Sequence, residues 1–271
     1  MTRVVAVANQ KGGVAKTTTV HSLGVALAQG GQKVLLVDLD PQASLTWACG
    51  VDPDDLERSM HEVLLRRCKA ADAVLPTDVD DLRLLPSTID LAGAEMHLLT
   101  KTGREYVLRK ALDRVVDDYD VVLIDCPPSL GILTINGLTA AGEVLIPLQC
   151  EALGQRGVSQ LMETIDDVRS YTNRDLVVRG VIATMFDRRT NLANQVVAEV
   201  QETHGLEVFD PPVPKSVKVA EAPGRGRSVL EHASSSRGAV AYRELAEAIF
   251  GVAAPAPEKK AKKKSKKKGE G

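Results

Sequence analysis

The sequence has few aromatic residues: Phe, Trp and Tyr together make up 3% of it. Its 271 residues are enough for one sizeable α/β core. That core must therefore be packed from Val, Leu, Ile and Ala. Cysteine is sparse too. Cys49, Cys68, Cys126 and Cys150 are scattered without a Cys-x-x-Cys pair, which argues against a disulfide framework and against closely spaced metal ligands. They read as buried thiols, while a metal or iron–sulfur site shared between subunits stays open. No run of about 18 apolar residues is present, so no membrane span is expected. The apolar opening at residues 4–8 is too short for a signal peptide and runs directly into Asn9, Gln10 and Lys11. The expected compartment is the cytoplasm.

A telling net charge is also missing, since the formal total is −2. That total hides a split. Residues 255–271 hold eight lysines and two glutamates and carry +6, while the rest of the chain carries −8. An acidic body with a basic terminus suggests nucleic acid or an anionic surface as a partner. The expected division is a folded domain over 1–252 and a disordered tail over 253–271, Ala/Pro-rich and then Lys-rich. The tail reads either as an electrostatic arm for DNA phosphates or as a solubilising terminus. Residues 258–271 contain no Leu, Ile, Phe or Trp, so stable membrane insertion is not expected.

Within the body, short apolar runs alternate with helical patterns. Strands are expected at residues 4–8, 33–39, 82–86, 121–125, 144–148, 176–184 and 207–209. Helices are expected at 17–29, 104–117, 158–168, 191–203 and 237–250, the last with Val240, Leu245 and Ile249 inward. Residues 51–81 read as irregular helical decoration. Alternating strands and helices predict a doubly wound, mostly parallel sheet with helices on both faces. Ligands of such sheets bind beyond the carboxyl ends of the strands, here just after Ala8, Leu39, Ile124 and Thr184.

The first strand leads into Gln10-Lys11-Gly12-Gly13-Val14-Ala15-Lys16-Thr17-Thr18. A Gly-rich turn between strand and helix aims backbone N–H groups at phosphate oxygens, and the helix N-terminus adds positive potential. Lys16 can reach β- and γ-phosphates, and the Thr17 hydroxyl can ligate Mg²⁺. Gln10 and Ala15 stand where the pattern G-x-x-x-x-G-K-[ST] has glycines, so the loop fits instead the deviant form K-G-G-x-x-K-[ST] with its extra lysine, Lys11. At Ala15 the methyl group crowds the loop. Either this residue keeps a negative φ, or nucleotide affinity is reduced.

Further motifs accompany the loop: Leu36-Val37-Asp38-Leu39-Asp40-Pro41-Gln42, Val122-Leu123-Ile124-Asp125-Cys126-Pro127-Pro128, Arg189-Thr190-Asn191-Leu192, Pro214-Lys215-Ser216-Val217-Lys218 and Glu221-Ala222-Pro223. Over about residues 3–250 the chain resembles the ParA/Soj branch of the deviant P-loop ATPases, the group that also contains MinD. The resemblance implies a P-loop NTPase fold and an ATPase that is weak alone and stimulated by a partner. It implies ATP and Mg²⁺ as cofactors, with Lys11, Gly12, Gly13, Val14, Ala15, Lys16, Thr17, Thr18 and Pro214 on the nucleotide. It gives Lys11, Lys16 and Asp40 catalytic roles, Lys11 reaching across an ATP-dependent homodimer, and places Thr17, Asp40 and Asp125 around the metal. Asp38 is either a water-mediated metal partner or a turn residue. Ser216 stands where relatives often have Asn, and Met185 and Asp187 are further candidates for the base pocket. Arg189, Lys215 and Lys218 are the implied contacts to non-specific double-stranded DNA, with Arg225, Arg227 and Arg237 as additional basic residues. The implied partner is a ParB/Spo0J-like centromere-binding protein, and the implied location is the nucleoid. Two other readings are weighed beside this one. A MinD-like or orphan ParA ATPase would position a membrane or cytoskeletal cargo. An iron–sulfur carrier is disfavoured by the missing Cys-x-x-Cys.

Overall fold

The computed structural model describes residues 1–151 and 154–256. The Lys-rich run, and with it the reading of the tail as a DNA arm, lies outside the described residues from 257 onward. In chain order the elements are β1 (Arg3–Val7), α1 (Lys16–Gln29), β2 (Val34–Asp38), α2 (Ser44–Ala48), α3 (Met60–Leu64), α4 (Ala70–Ala73), β3 (Leu75–Pro76), β4 (Leu82–Leu85), α5 (Leu91–Leu98), α6 (Val107–Leu112), β5 (Val121–Asp125), α7 (Ile132–Ala140), β6 (Glu143–Gln149), α8 (Gly154–Tyr171), β7 (Val177–Thr184), α9 (Asn191–His204), β8 (Val208–Phe209), α10 (Val217–Glu221), α11 (Val229–His232) and α12 (Arg237–Phe250).

The strands form one sheet in the order β3-β4-β2-β5-β1-β6-β7-β8. Every pairing is parallel except β3 with β4. The central strands are apolar except at their ends, where Arg3, Asp38, Asp125, Glu143 and Gln149 stand, because both faces are covered, and their residues divide between the faces with a period of two. Ala6, Leu35, Val37, Val122 and Ile124 join the core beneath α3–α9. Val5, Val7, Val34, Leu36, Val121 and Leu123 join the core beneath α1, α2, α11 and α12. Contact on the second face is close. A Cβ on Gly24 of α1 would lie 2.6 Å from Leu36 Cδ2, so the helix needs glycine there to sit on β2.

Three expectations need correction. The helix expected over 104–117 is only α6, flanked by single 3₁₀ turns at Arg104–Tyr106 and Val116–Asp118. The Asn136 side chain causes the break at its start. Its Nδ2 donates to Arg104 O at 2.8 Å and its Oδ1 accepts from Leu108 N at 3.1 Å, replacing the helical bond between those two groups. Beyond Leu112 the acids Asp113, Asp117 and Asp118 face the wrong end of a helix dipole. In α12, Val240 points to solvent at 38% exposure, and Ala239, Tyr242, Leu245, Ala246 and Ile249 make the buried stripe. Residues 51–81 contain a short strand, β3, besides helical turns. Its Pro76 is tolerated because β3 lies at the sheet edge.

Candidate functional site

The loop from Ala8 to Ala15 joins β1 to α1 at the carboxyl end of the sheet. Asn9, nearly fully buried, shapes its start. Its Nδ2 donates to Pro147 O at 2.7 Å and its Oδ1 accepts from Lys11 N at 3.0 Å. Thr184, the last residue of β7, donates its hydroxyl to Val14 O at 3.0 Å. The loop turns through left-handed conformations at Gly13 (φ 74) and Ala15 (φ 66). Glycine takes this region freely, whereas alanine costs roughly 1–2 kcal/mol there. Of the two alternatives for Ala15, a negative φ is therefore not the one adopted.

Helix α1 opens with no side-chain cap and no acidic residue in its first turn. Its free N–H groups and positive dipole end are left for an anion. They border a cavity of about 630 Å³ lined by Gly12, Gly13, Ala15, Lys16, Thr17 and Thr18 on one side and by Asp40 and Pro128. The rest of its lining is mostly apolar, with Met185, Val213, Pro214, Val217, Val219 and Pro223, and also includes Lys215 and Ser216. Val14 does not line the cavity: its side chain is 1% exposed and packs into the protein. Lys11 does not line it either. Its Nζ pairs at 3.2 Å with Glu151 Oε2, which lies after β6.

Lys16 is buried at 7% exposure, with Nζ bonded to Lys11 O at 3.2 Å. Burial pulls its pKa below the usual lysine value, against the attraction of Asp125, Cys126 and Asp40. Asp125 ends β5 opposite both Val7 and Asp38. It is 1% exposed, and neither carboxylate oxygen makes a well-formed hydrogen bond, the Thr17 hydroxyl interacting with it only weakly. Burial raises its pKa well above the ordinary carboxylate value, the Asp38 charge adds to the rise, and the Thr17 hydroxyl and Lys16 oppose it. A buried, unpartnered carboxylate is costly unless a cation compensates. With the Thr17 hydroxyl beside it and Asp40 on the cavity wall, the donor set is all oxygen, which suits Mg²⁺.

Asp38 differs from Asp125. Its Oδ1 accepts from Asp40 N at 3.1 Å, and its Oδ2 accepts from Thr46 N at 2.8 Å and Thr46 Oγ1 at 2.7 Å. Burial pushes its pKa up to about 6 against those donors. Its place is that of the turn residue, with both oxygens used inside the protein.

The basic residues are only partly gathered. Arg189, Lys215, Arg188 and Arg237 line a neighbouring groove of about 790 Å³ beyond Pro214. Asp187 lines this groove and not the nucleotide-sized cavity, and it takes two bonds from the Arg189 guanidinium at 3.0 and 2.9 Å and one from Arg189 N at 3.1 Å. Lys218 lies outside the groove lining, on α10, paired with Glu221 at 3.1 Å. Arg225 and Arg227 do not line the groove. Sequence reasoning missed Asn9 and Thr184 as loop supports. Their signal was position alone, at or just past the ends of β1 and β7.

The chain matches a family model described as an AAA domain over residues 2–178. It is 43% identical over 249 residues to the sporulation initiation inhibitor protein Soj of Bacillus subtilis, covering 92% of this chain and 98% of that protein. It is 43% identical over 250 residues to the chromosome partitioning protein ParA of Caulobacter vibrioides, covering 92% and 94%. Among solved structures it is similar to a Mycobacterium smegmatis protein described as cobyrinic acid a,c-diamide synthase, with bound ATP analogue and magnesium. The identity is 49% and the TM-score 0.82, over 95% of this chain and 100% of that one. With a P-loop between β1 and α1 of a parallel sheet, and these relatives along nearly the whole chain, the protein belongs to the ParA/Soj family of partitioning ATPases.

Proposed function

We propose that this chain is an ATP-dependent DNA-partitioning ATPase that uses ATP and Mg²⁺ and acts in the cytoplasm on the nucleoid. The observation that carries the reading is the pairing of an uncapped α1 N-terminus and Lys16 with Asp125, a buried carboxylate whose two oxygens lack a well-formed hydrogen bond. The loop N–H groups and Lys16 bind the phosphates, and the base lies against Pro214 and its apolar neighbours. Thr17, Asp40 and Asp125 hold Mg²⁺, which neutralises charge building on the β- and γ-phosphate oxygens. Asp40 orients a water for attack on the γ-phosphorus. As that bond forms, the bond to the bridging oxygen breaks, giving ADP and phosphate. Lys11 leaves Glu151, an exposed pair of little strength, and reaches the phosphates of a second subunit, so that ATP drives a sandwich homodimer.

Dimerisation doubles a basic surface containing Arg189 and Lys215, with Lys218 nearby, and so strengthens contact with the phosphates of double-stranded DNA. Arg189 exchanges Asp187 for phosphate. Hydrolysis, slow alone and stimulated by a ParB/Spo0J-like centromere-binding protein, releases the dimer. The name carried by the M. smegmatis neighbour implies amide formation. Cysteine chemistry for such a step would call for a reactive thiolate. Burial raises the pKa of all four thiols here, Cys150 to about 11, and none lines the nucleotide cavity.

The test is DNA retention with ATP, with ADP and without nucleotide, over a range of salt. ATP alone should support retention, with affinity falling steeply as salt rises. Equal retention in all three states, or none in any, overturns the reading. ATP-dependent binding to vesicles instead of DNA would favour the MinD-like alternative.

A further inference from the structure

Asp40 is fixed less by its own side chain than by its peptide group. The carboxylate accepts from Gln42 N at 2.9 Å, a bond inside its own turn. The Asp40 N–H donates back to Asp38 Oδ1, at 3.1 Å. Asp38 Oδ2 takes both the N–H and the hydroxyl of Thr46. The segment from Leu39 to Thr46 is thus a closed turn whose two ends meet on one carboxylate.

A hydroxyl has one proton to give. Since Asp38 receives it, Thr46 Oγ1 can only accept from its other neighbour, and it accepts from Ser87 N at 2.9 Å. Ser87 follows β4, the strand paired with β2 on the far side from β5. Asp38, Thr46 and Ser87 are all 0% exposed, so water does not compete for these bonds. The result is a directed chain from the β4 exit through Thr46 and Asp38 to the Asp40 peptide. Gln42 and Ser44, inside the same turn, line the nucleotide cavity with Asp40.

We infer that Thr46 is a positioning residue for hydrolysis: its hydroxyl transfers the position of the β4 exit to Asp38, and so holds Asp40 at the cavity wall. This rests on the proposed role of Asp40. Thr46 does not line the nucleotide cavity, so its effect falls on the geometry of attack and not on nucleotide binding. The molecule carries its own reporter. Trp47, the one tryptophan in the sequence, follows Thr46 on α2 and is 53% exposed.

The experiment measures steady-state ATP hydrolysis by the full-length protein with Mg²⁺ for wild type, Thr46→Val, Thr46→Ser and Asp40→Ala. Acrylamide quenching of Trp47 and melting temperature are read alongside. Thr46→Val, close in shape but unable to bridge, should lose about tenfold or more in kcat with KM within about twofold of wild type. Trp47 should become more accessible in that variant, and Thr46→Ser should restore turnover and quenching. If Thr46→Val does not fold, Thr46→Cys replaces it with the same expected split, because a thiol donates and accepts only weakly. Wild-type turnover in the Val or Cys variant, or a loss that Ser does not rescue, overturns the inference. Asp40→Ala separates the two levels. If Asp40→Ala turns over normally, the role of Asp40 falls and this inference with it. If Asp40→Ala is inactive while Thr46→Val is not, only the role of Thr46 falls.

Discussion

The two ends of the central sheet are built differently. At the amino end the charges close on one another. Arg3 donates Nε and Nη2 to Glu143, each at 2.8 Å, and Nη1 to Ile249 O at 3.1 Å. Its guanidinium stacks 4.5 Å over Phe250, and Arg179 stands 3.7 Å from the same Glu143. At the carboxyl end Asp125 has two buried oxygens without a well-formed hydrogen bond, and Lys16 is bonded to a loop carbonyl. Among the described non-glycine residues, Ala15, Ala43 and Met185 have positive φ there, against Asp81 just before β4 at the amino end. Strain and unpaired charge persist only where the surrounding structure holds them in place, and they cluster at sites that await a ligand. One end of the sheet closes its charges on one another; the other carries the unpaired groups on which the proposed nucleotide site rests. Asp38 and Asp125 repeat the contrast as neighbours in register, one with three donors and the other without a well-formed hydrogen bond.

Three substitutions sharpen or break this contrast. The largest effect is expected at the carboxyl end. Lys16→Ala should weaken ATP-analogue binding by roughly 100-fold or more, since a charge-assisted phosphate contact in a buried site is lost. Calorimetry checks this, and near-normal affinity would remove the loop from the site. At the other end, Arg3→Ala should cost about 2 kcal/mol of stability in denaturant unfolding, because it strips Glu143 of its two short bonds. It should leave ATP affinity unchanged; a parallel fall in affinity would break the division between the ends. The smallest effect is expected for Ala15→Gly. Relief of the left-handed alanine outweighs the entropy that glycine adds to the unfolded chain, for a net gain of about 0.5–1 kcal/mol. Removing the methyl from the cavity wall should also tighten ATP-analogue binding.

Much of this was legible in the sequence, for physical reasons. Strands buried on both faces read as unbroken aliphatic runs, so β1, β2 and β5 are visible without structure. The phosphate loop is a local motif whose function follows from its backbone, so Lys16 and Thr17 could be placed by spacing alone. Tertiary hydrogen bonds could not. Nothing local to residues 104–117 reveals that Asn136 inserts into the helix there, and nothing near Asp38 reveals that Thr46 bonds to it and is itself held by Ser87. Val240 misled because a helical stripe predicts which residues share a face, not where the stripe ends. For the basic residues, sequence gave charge but not company, and the ion pairs of Arg189 with Asp187 and Lys218 with Glu221 came only with the fold.

The most direct test of the account is the thermal stability of Asp125→Asn, empty and with Mg²⁺ and an ATP analogue, from pH 4 to pH 7. In the empty wild type this carboxyl has a pKa raised by burial above its unfolded value of 3.8. Its ionisation therefore opposes folding once pH rises above that value, and the penalty grows until the pH passes the folded pKa. The amide carries no charge and avoids that penalty. Empty Asp125→Asn should melt above wild type at pH 7, with the difference shrinking toward pH 4, and Mg²⁺ with the ATP analogue should raise the wild-type Tm far more than that of the variant. An empty variant that melts below wild type at pH 7, and gains as much from Mg²⁺ and the analogue, would contradict the claim that Asp125 is held unpaired for a cation.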